Sequence, residues 1–198
     1  MKLYYNAFSR AARVRWMLEE LEAKYDLVTF DFEKEDPEYL KIHPLGMVPA
    51  IVDDGKALFE SSAIVMHLAD KHPEKKLAPA VGSYDRALYY QWIFFTMTHL
   101  EQAVVEIYAQ TSGLDEKDRI PKNLEWARGA FAESAAVVEK ELATRDTIVP
   151  CGFTAADVIL GSLLGWAKML GILEPYPNLM RYGKAMGSRP ANKRSRAE

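Results

Sequence analysis

The chain has 198 residues, a formal net charge of −3, 49% hydrophobic residues and 27% charged residues. That length allows one substantial core, or two small cores sharing an interface. The charge gives no basic patch for nucleic acid, no apolar run approaches the ~20 residues of a membrane span, and the lone Cys151 excludes internal disulfides and multi-cysteine zinc sites.

His43, His67, His72 and His99 show no metal-ligand spacing with carboxylates, so no metal is expected. The segment MKLYYNAF reads as a strand rather than a charged-then-apolar leader, which predicts a cytoplasmic protein.

Residues 2–5 are a short β-rich run. From Ser9 the period becomes helical, with Ala12, Trp16 and Leu21 among its apolar positions. Residues 25–32 alternate as a half-buried strand. Asp36-Pro37 signals the start of a short helix that must end before His43-Pro44. Residues 50–53 and 57–59 flank an Asp54-Gly55 turn and form a hairpin. Residues 61–71 are an amphipathic helix. The order is βαβ, short helix, ββα.

The stretch HPEKKLAPAVGS carries two prolines and a glycine without periodicity and reads as a linker. Beyond it no convincing strand occurs. Residues 84–110, 121–144, 154–170 and 177–186 are helical patterns. Thr154-Ala-Ala-Asp157 forms a capping-box-like start, and Gly171 supplies the stop. The terminal RPANKRSRAE is expected as a solvated polar tail. The boundaries expected are 1–76 for an α/β domain, 77–84 for the linker and 85–198 for an all-helical domain.

The ordered motifs SRAARVRWMLEEL, KIHPLGMVPAI, FESSAIVMHL, FTAADVILGSLL, YPNLMRY and RPA together resemble the glutathione transferase superfamily, over nearly the whole chain. The SRAARVRW segment is most similar to the serine-type transferases of bacteria and fungi. The resemblance implies a thioredoxin-like amino-terminal domain (βαβαββα) that holds glutathione, followed by a helical domain that helps to form the acceptor pocket. It also implies a homodimer whose partners are glutathione and a small hydrophobic electrophile, with glutathione as co-substrate.

The residue chemistry runs beside this resemblance. Glutathione is a short peptide with two carboxylates, one ammonium and a thiol. Val48-Pro49 offers a strand edge: the resemblance implies a cis bond there, with the Val48 amide and carbonyl turned toward an extended peptide. Alternatively, Pro49 only begins a strand. Glu60-Ser61 opens a helix whose first N–H groups are unpaired and partly positive, which suits a carboxylate, while Glu60 suits an ammonium. Ser61 serves equally as an ordinary helix cap.

For the thiol, Ser9 matches the serine of the family's Ser-Arg motif, at the start of the first helix. Tyr5 is the rival donor, and Tyr4 stays open because the alignment slides by one residue. Alternation sends Tyr4 and Tyr5 to opposite faces, so only one can serve. Arg10 and Lys41 are candidates for glutathione carboxylates, or else solvated charges. Arg13 and Arg15 are expected in surface or interdomain pairs. Phe8, Tyr90, Phe94 and Met97 are candidates for the acceptor pocket; for the last three, at helical spacing, core packing is the first expectation. Thr154 and Asp157 read as structural.

Overall fold

The computed structural model describes residues 1–34 and 36–197 and divides into two compact units. One unit comprises residues 1–78 together with 188–198, and the other residues 79–187.

In the first unit the described residues form a four-stranded sheet in the order β2-β1-β3-β4. The strands are β1 (Lys2–Tyr5), β2 (Asp26–Thr29), β3 (Ala50–Asp53) and β4 (Lys56–Phe59). β1 pairs in parallel with β2 and antiparallel with β3, with Leu3 opposite Leu27 and Ile51. Asp54 and Gly55, both at positive φ, make the tight hairpin turn into β4, as Asp-Gly predicts.

Helices α1 (Ala11–Leu21) and α2 (Ser61–Lys71) pack on one another and on the sheet. Their buried stripes, including Val14, Met17, Leu18, Ile64, Val65 and Leu68, close over Leu3 and Ile51. Tyr39, Val48 and Ala50 form a second cluster with Tyr4, Phe30 and Ile42. This is the thioredoxin-like unit followed by helices that the motifs imply, with a 3-10 turn where the second helix of the βαβαββα order is expected.

Two local expectations are corrected. The helix expected after Asp36-Pro37 is a single 3-10 turn, Tyr39–Lys41. Few residues separate Pro37 from Pro44, and the Asp36 carboxylate takes the amides of Glu38 and Tyr39, so only a turn has room to form. The strand expected over 25–32 pairs only from Asp26 to Thr29, and it lies at the sheet edge.

The second unit is helical. Residues 84–113 are one continuous run: α3 (Tyr84–Phe95), a π turn (Thr96–Leu100), α4 (Glu101–Tyr108) and a second π turn (Ala109–Gly113). Threonine hydroxyls donate to carbonyls four residues back near both wide turns, Thr96 to Trp92 and Thr111 to Ile107, each at 2.7 Å. Helices α5 (Pro121–Leu142), α6 (Ala155–Met169) and α7 (Pro177–Ser188) follow. Thr154 and Asp157 form a true capping box at the head of α6.

The terminal segment is not a free tail. Pro190–Arg194 form α8, which packs on α1 and buries Ala191, Asn192 and Ser195. Arg189 grips Glu20 at 2.6 and 2.9 Å, and Arg194 meets Glu19 at 2.9 Å. Glu198, at the end of the expected tail, lies outside the described residues.

Candidate active site

The loop from β1 to α1 carries Ser9. Its hydroxyl donates to the Asn6 carbonyl at 2.7 Å and accepts the Ala11 amide at 3.2 Å. Ser9 therefore closes the loop onto the first turn of α1, and its side chain is half-buried. Phe8, next to it, is fully exposed. Arg10 is the residue that enters α1.

Tyr4 and Tyr5 point to opposite faces, as alternation requires. Tyr4 packs on Tyr39 with ring centroids 4.9 Å apart. Tyr5 lies under the Arg15 guanidinium, 5.4 Å from ring centroid to cation. Arg15 also reaches the Tyr25 hydroxyl at 3.4 Å and the Ala197 carbonyl at 2.5 Å. Burial works against the Arg15 cation, but the phenol oxygens of Tyr25 and Tyr5 outweigh it and hold its pKa above the ordinary value. Tyr5 is thus engaged with Arg15.

The Val48-Pro49 bond is cis. Val48 is buried and lies two residues ahead of the ladder that begins at Ala50. The Tyr39 hydroxyl donates to the neighbouring Met47 carbonyl at 2.6 Å and anchors this corner.

The junction of β4 and α2 is the most unusual place in the unit. Glu60 has φ 71° and ψ 108°, a left-handed conformation that costs a non-glycine residue on the order of 1–3 kcal/mol. Its carboxylate is exposed. The first turn of α2 has no acidic residue and no side-chain cap. Ser61 is 3% exposed, and the Ser62 hydroxyl is buried without a hydrogen-bond partner. A buried hydroxyl left unsatisfied beside unpaired helix amides marks a place suited to an anion.

Sequence reasoning missed Arg13. It was expected at the surface or between domains, but it is only 2% exposed, and its guanidinium donates to Ser61 Oγ at 3.4 Å. The signal was present: Arg13 precedes Met17 by four residues and Leu21 by eight, on the buried stripe of α1. Hydropathy concealed it, because arginine reads as a surface residue.

Lys41 stands apart from this cluster. Its ammonium pairs with Glu38 at 2.7 Å, and it lines an open hollow of about 500 Å³ with Tyr4, Ile42, Val52 and Ala57.

In the second unit the buried positions of α3 are Tyr89, Trp92 and Ile93, and the core packing expected of Phe94 fails, since it is 60% exposed. Tyr90 and Met97 are half-buried, with Arg86 over the Tyr90 ring at 4.8 Å. Among the described residues, no group of three or more His, Cys, Asp or Glu side chains could hold a metal ion.

Comparison with known proteins bears on both units. Residues 1–70 match the family described as glutathione S-transferase, N-terminal domain, and residues 89–190 match its C-terminal domain. The chain is 28% identical over 196 residues to glutathione S-transferase GstA of Escherichia coli O157:H7, covering 96% of this chain and 94% of that protein. It is 29% identical over 181 residues to the maleylacetoacetate isomerase of Dictyostelium discoideum, covering 85% and 80%. Among solved structures, a sphingomonad glutathione S-transferase complexed with glutathione superposes with a TM-score of 0.84 at 31% identity, covering 99% and 97%.

Proposed function

The chain belongs to the glutathione transferase family, and we propose that it transfers the thiolate of glutathione to small, largely apolar electrophiles. The observation that carries this reading is the head of α2: an uncapped helix start with two serines, one of them held by a buried arginine.

In this reading the Val48 backbone pairs with the cysteinyl residue, as one more rung beside β3. The amides of the first α2 turn and the Ser61 hydroxyl hold the γ-glutamyl carboxylate, and Glu60 meets the ammonium. Arg10 is the cation assigned to the remaining carboxylate, since Lys41 stands apart from the cluster and pairs with Glu38. Ser9 faces the sulfur, and a rotation of its hydroxyl away from Asn6 supplies the proton of a thiolate hydrogen bond. A free thiol has a pKa near ~8.5, so lowering it by one or two units takes only ~1.4–2.8 kcal/mol. Ser9 is preferred over Tyr5 because it stands at the head of α1, accepts the Ala11 amide there, and occupies the serine position of the Ser-Arg motif. Phe8 offers the acceptor an exposed aromatic face, and Tyr90, Phe94 and Met97 are the further acceptor candidates. The protein supplies proximity and electrostatic stabilisation without a covalent enzyme intermediate.

The reading includes a cytoplasmic homodimer; no described helix is long and apolar enough to cross a membrane. The test is a glutathione titration followed by ultraviolet absorbance of the thiolate, with turnover of a chlorinated dinitrobenzene. Thiolate formation at neutral pH with conjugation is expected. Binding with neither would make the protein a non-catalytic glutathione-fold module.

A second reading is favoured by the isomerase relative. The same thiolate would add reversibly to a conjugated double bond, allow rotation, and depart. A panel containing a cis-dienoate and a chlorinated arene separates the two: isomerisation consumes no glutathione, whereas conjugation consumes one per turnover.

A further inference from the structure

We infer that Arg13 is a positioning residue for the α2 anion site: it sets the Ser61 hydroxyl as a donor and places a permanent positive charge behind that site. The inference rests on the reading that Ser61 receives the γ-glutamyl carboxylate.

A guanidinium has five donors and no acceptor, and it stays protonated at any physiological pH. Where Arg13 meets Ser61 Oγ at 3.4 Å, the serine oxygen can only accept. Its proton is then free to be donated elsewhere. Without that neighbour the hydroxyl could turn and present a lone pair, which repels a carboxylate. Arg13 selects the orientation that attracts one.

Charge adds to orientation. The N-terminal end of α2 carries partial positive charge on its unpaired amides, and its first turn holds no acidic side chain to offset it. Arg13 adds a full charge of the same sign from the buried side. Water is largely excluded from both Arg13 and Ser61, so little solvent competes for the hydrogen bond between them. Arg15, two residues on, has a different task, since it binds Tyr5, Tyr25 and the Ala197 carbonyl.

The test compares two ligands across four proteins. The ligands are glutathione and γ-aminobutyryl-cysteinylglycine, which lacks only the γ-glutamyl carboxylate. The proteins are wild type, Arg13→Gln, Ser61→Ala and the double variant. Arg13→Gln is expected to weaken glutathione binding about 10-fold, equivalent to ~1.4 kcal/mol, while kcat at saturating glutathione moves less than about 3-fold. For the analogue the loss should shrink to less than about 2-fold, and in the Ser61→Ala background to less than about 3-fold. Arg13→Lys should recover part of the affinity, and it replaces Arg13→Gln in the cycle if the latter does not fold.

Equal losses for both ligands, or fully additive losses in the double variant, would overturn the inference, because a purely structural arginine behaves that way. If Ser61→Ala alone leaves glutathione affinity unchanged, the underlying assignment of the anion site falls. If Ser61→Ala weakens binding and Arg13→Gln does not, only the role of Arg13 falls.

Discussion

Ser9 and Asn6 are joined by a 2.7 Å hydrogen bond in which the serine hydroxyl donates to the asparagine carbonyl. The hydroxyl proton is therefore committed to the loop before any ligand arrives, and a thiolate must compete for it. Ser9→Ala should lower turnover by about 10–100-fold and raise the pKa of bound glutathione by about one to two units. Glutathione affinity should change by less than about 3-fold. Loss of the bond to the Ala11 amide should also cost about 1 kcal/mol of stability. Tyr5→Phe should leave the ultraviolet thiolate titration in place. If Tyr5→Phe abolishes it and Ser9→Ala does not, the activator is the tyrosine.

The parts of this site that were legible in the sequence are those encoded by local chemistry. Asp54-Gly55 announces its turn, Glu60-Ser61 announces a helix start, and Thr154 with Asp157 announces a cap, because each acts within four residues. What stayed hidden depends on partners distant in sequence. Arg13 is buried through Ser61, 48 residues away, and α8 is ordered through Glu19 and Glu20, about 170 residues away. A basic tail reads as solvated until its carboxylate partners are placed beside it. The exposure of Phe94 was hidden for a similar reason: helical spacing groups the aromatic residues of α3 but does not say which flank faces the core.

The grip of Arg189 on Glu20 should matter to stability. The two bonds are parallel and bidentate, and the Glu20 side chain is 10% exposed. Glu20 also accepts the Trp16 indole N–H at 2.8 Å, so Arg189→Ala leaves a mostly buried carboxylate without its cation. The expected loss is about 2 kcal/mol, between an exposed pair at ~0–1 and a buried one at ~3–5. Arg194→Ala, which opens a more exposed pair to Glu19, should cost less than about 1 kcal/mol. Urea midpoints for the two variants check the order; equal losses would show that burial of Glu20 is not the deciding factor.

Glu139 caps α7 from a different helix. One carboxylate oxygen accepts the Asn178 amide at 2.9 Å and its side-chain amide at 2.8 Å, and the other accepts the Leu179 amide at 2.9 Å. These are orphan donors of a helix start, and the negative charge also favours that end of the helix. Glu139→Ala should destabilise by about 1–2 kcal/mol. Glu139→Gln keeps one acceptor oxygen and should lose roughly half as much. Hydrogen exchange should speed up first at the Asn178 and Leu179 amides. Uniform acceleration across all helices instead would mean that the cap is not a local lock.

Asp157 gives a prediction with a pH sign. Its buried carboxylate accepts the amides of Ile148 and Thr154 at 2.8 Å, the Tyr182 hydroxyl at 2.9 Å and the Thr154 hydroxyl at 3.1 Å. Asp157→Ala strands several donors at once and should cost about 3 kcal/mol or more. Burial raises the carboxyl pKa above the ordinary value, and the bonds from Ile148, Thr154 and Tyr182 pull it back only in part. A carboxyl raised in the folded chain holds its proton more tightly there than in the unfolded chain. Its stabilising contribution is therefore complete below the unfolded value near ~3.9 and is lost as pH rises through the folded value. Asp157→Asn does not titrate. The advantage of wild type over Asp157→Asn should thus be largest near about pH 4 and narrow toward neutrality, as read from urea midpoints across that range. A gap that widens with pH would mean that the four hydrogen bonds to the charged form outweigh its burial, and the sign of the shift would have to be reversed.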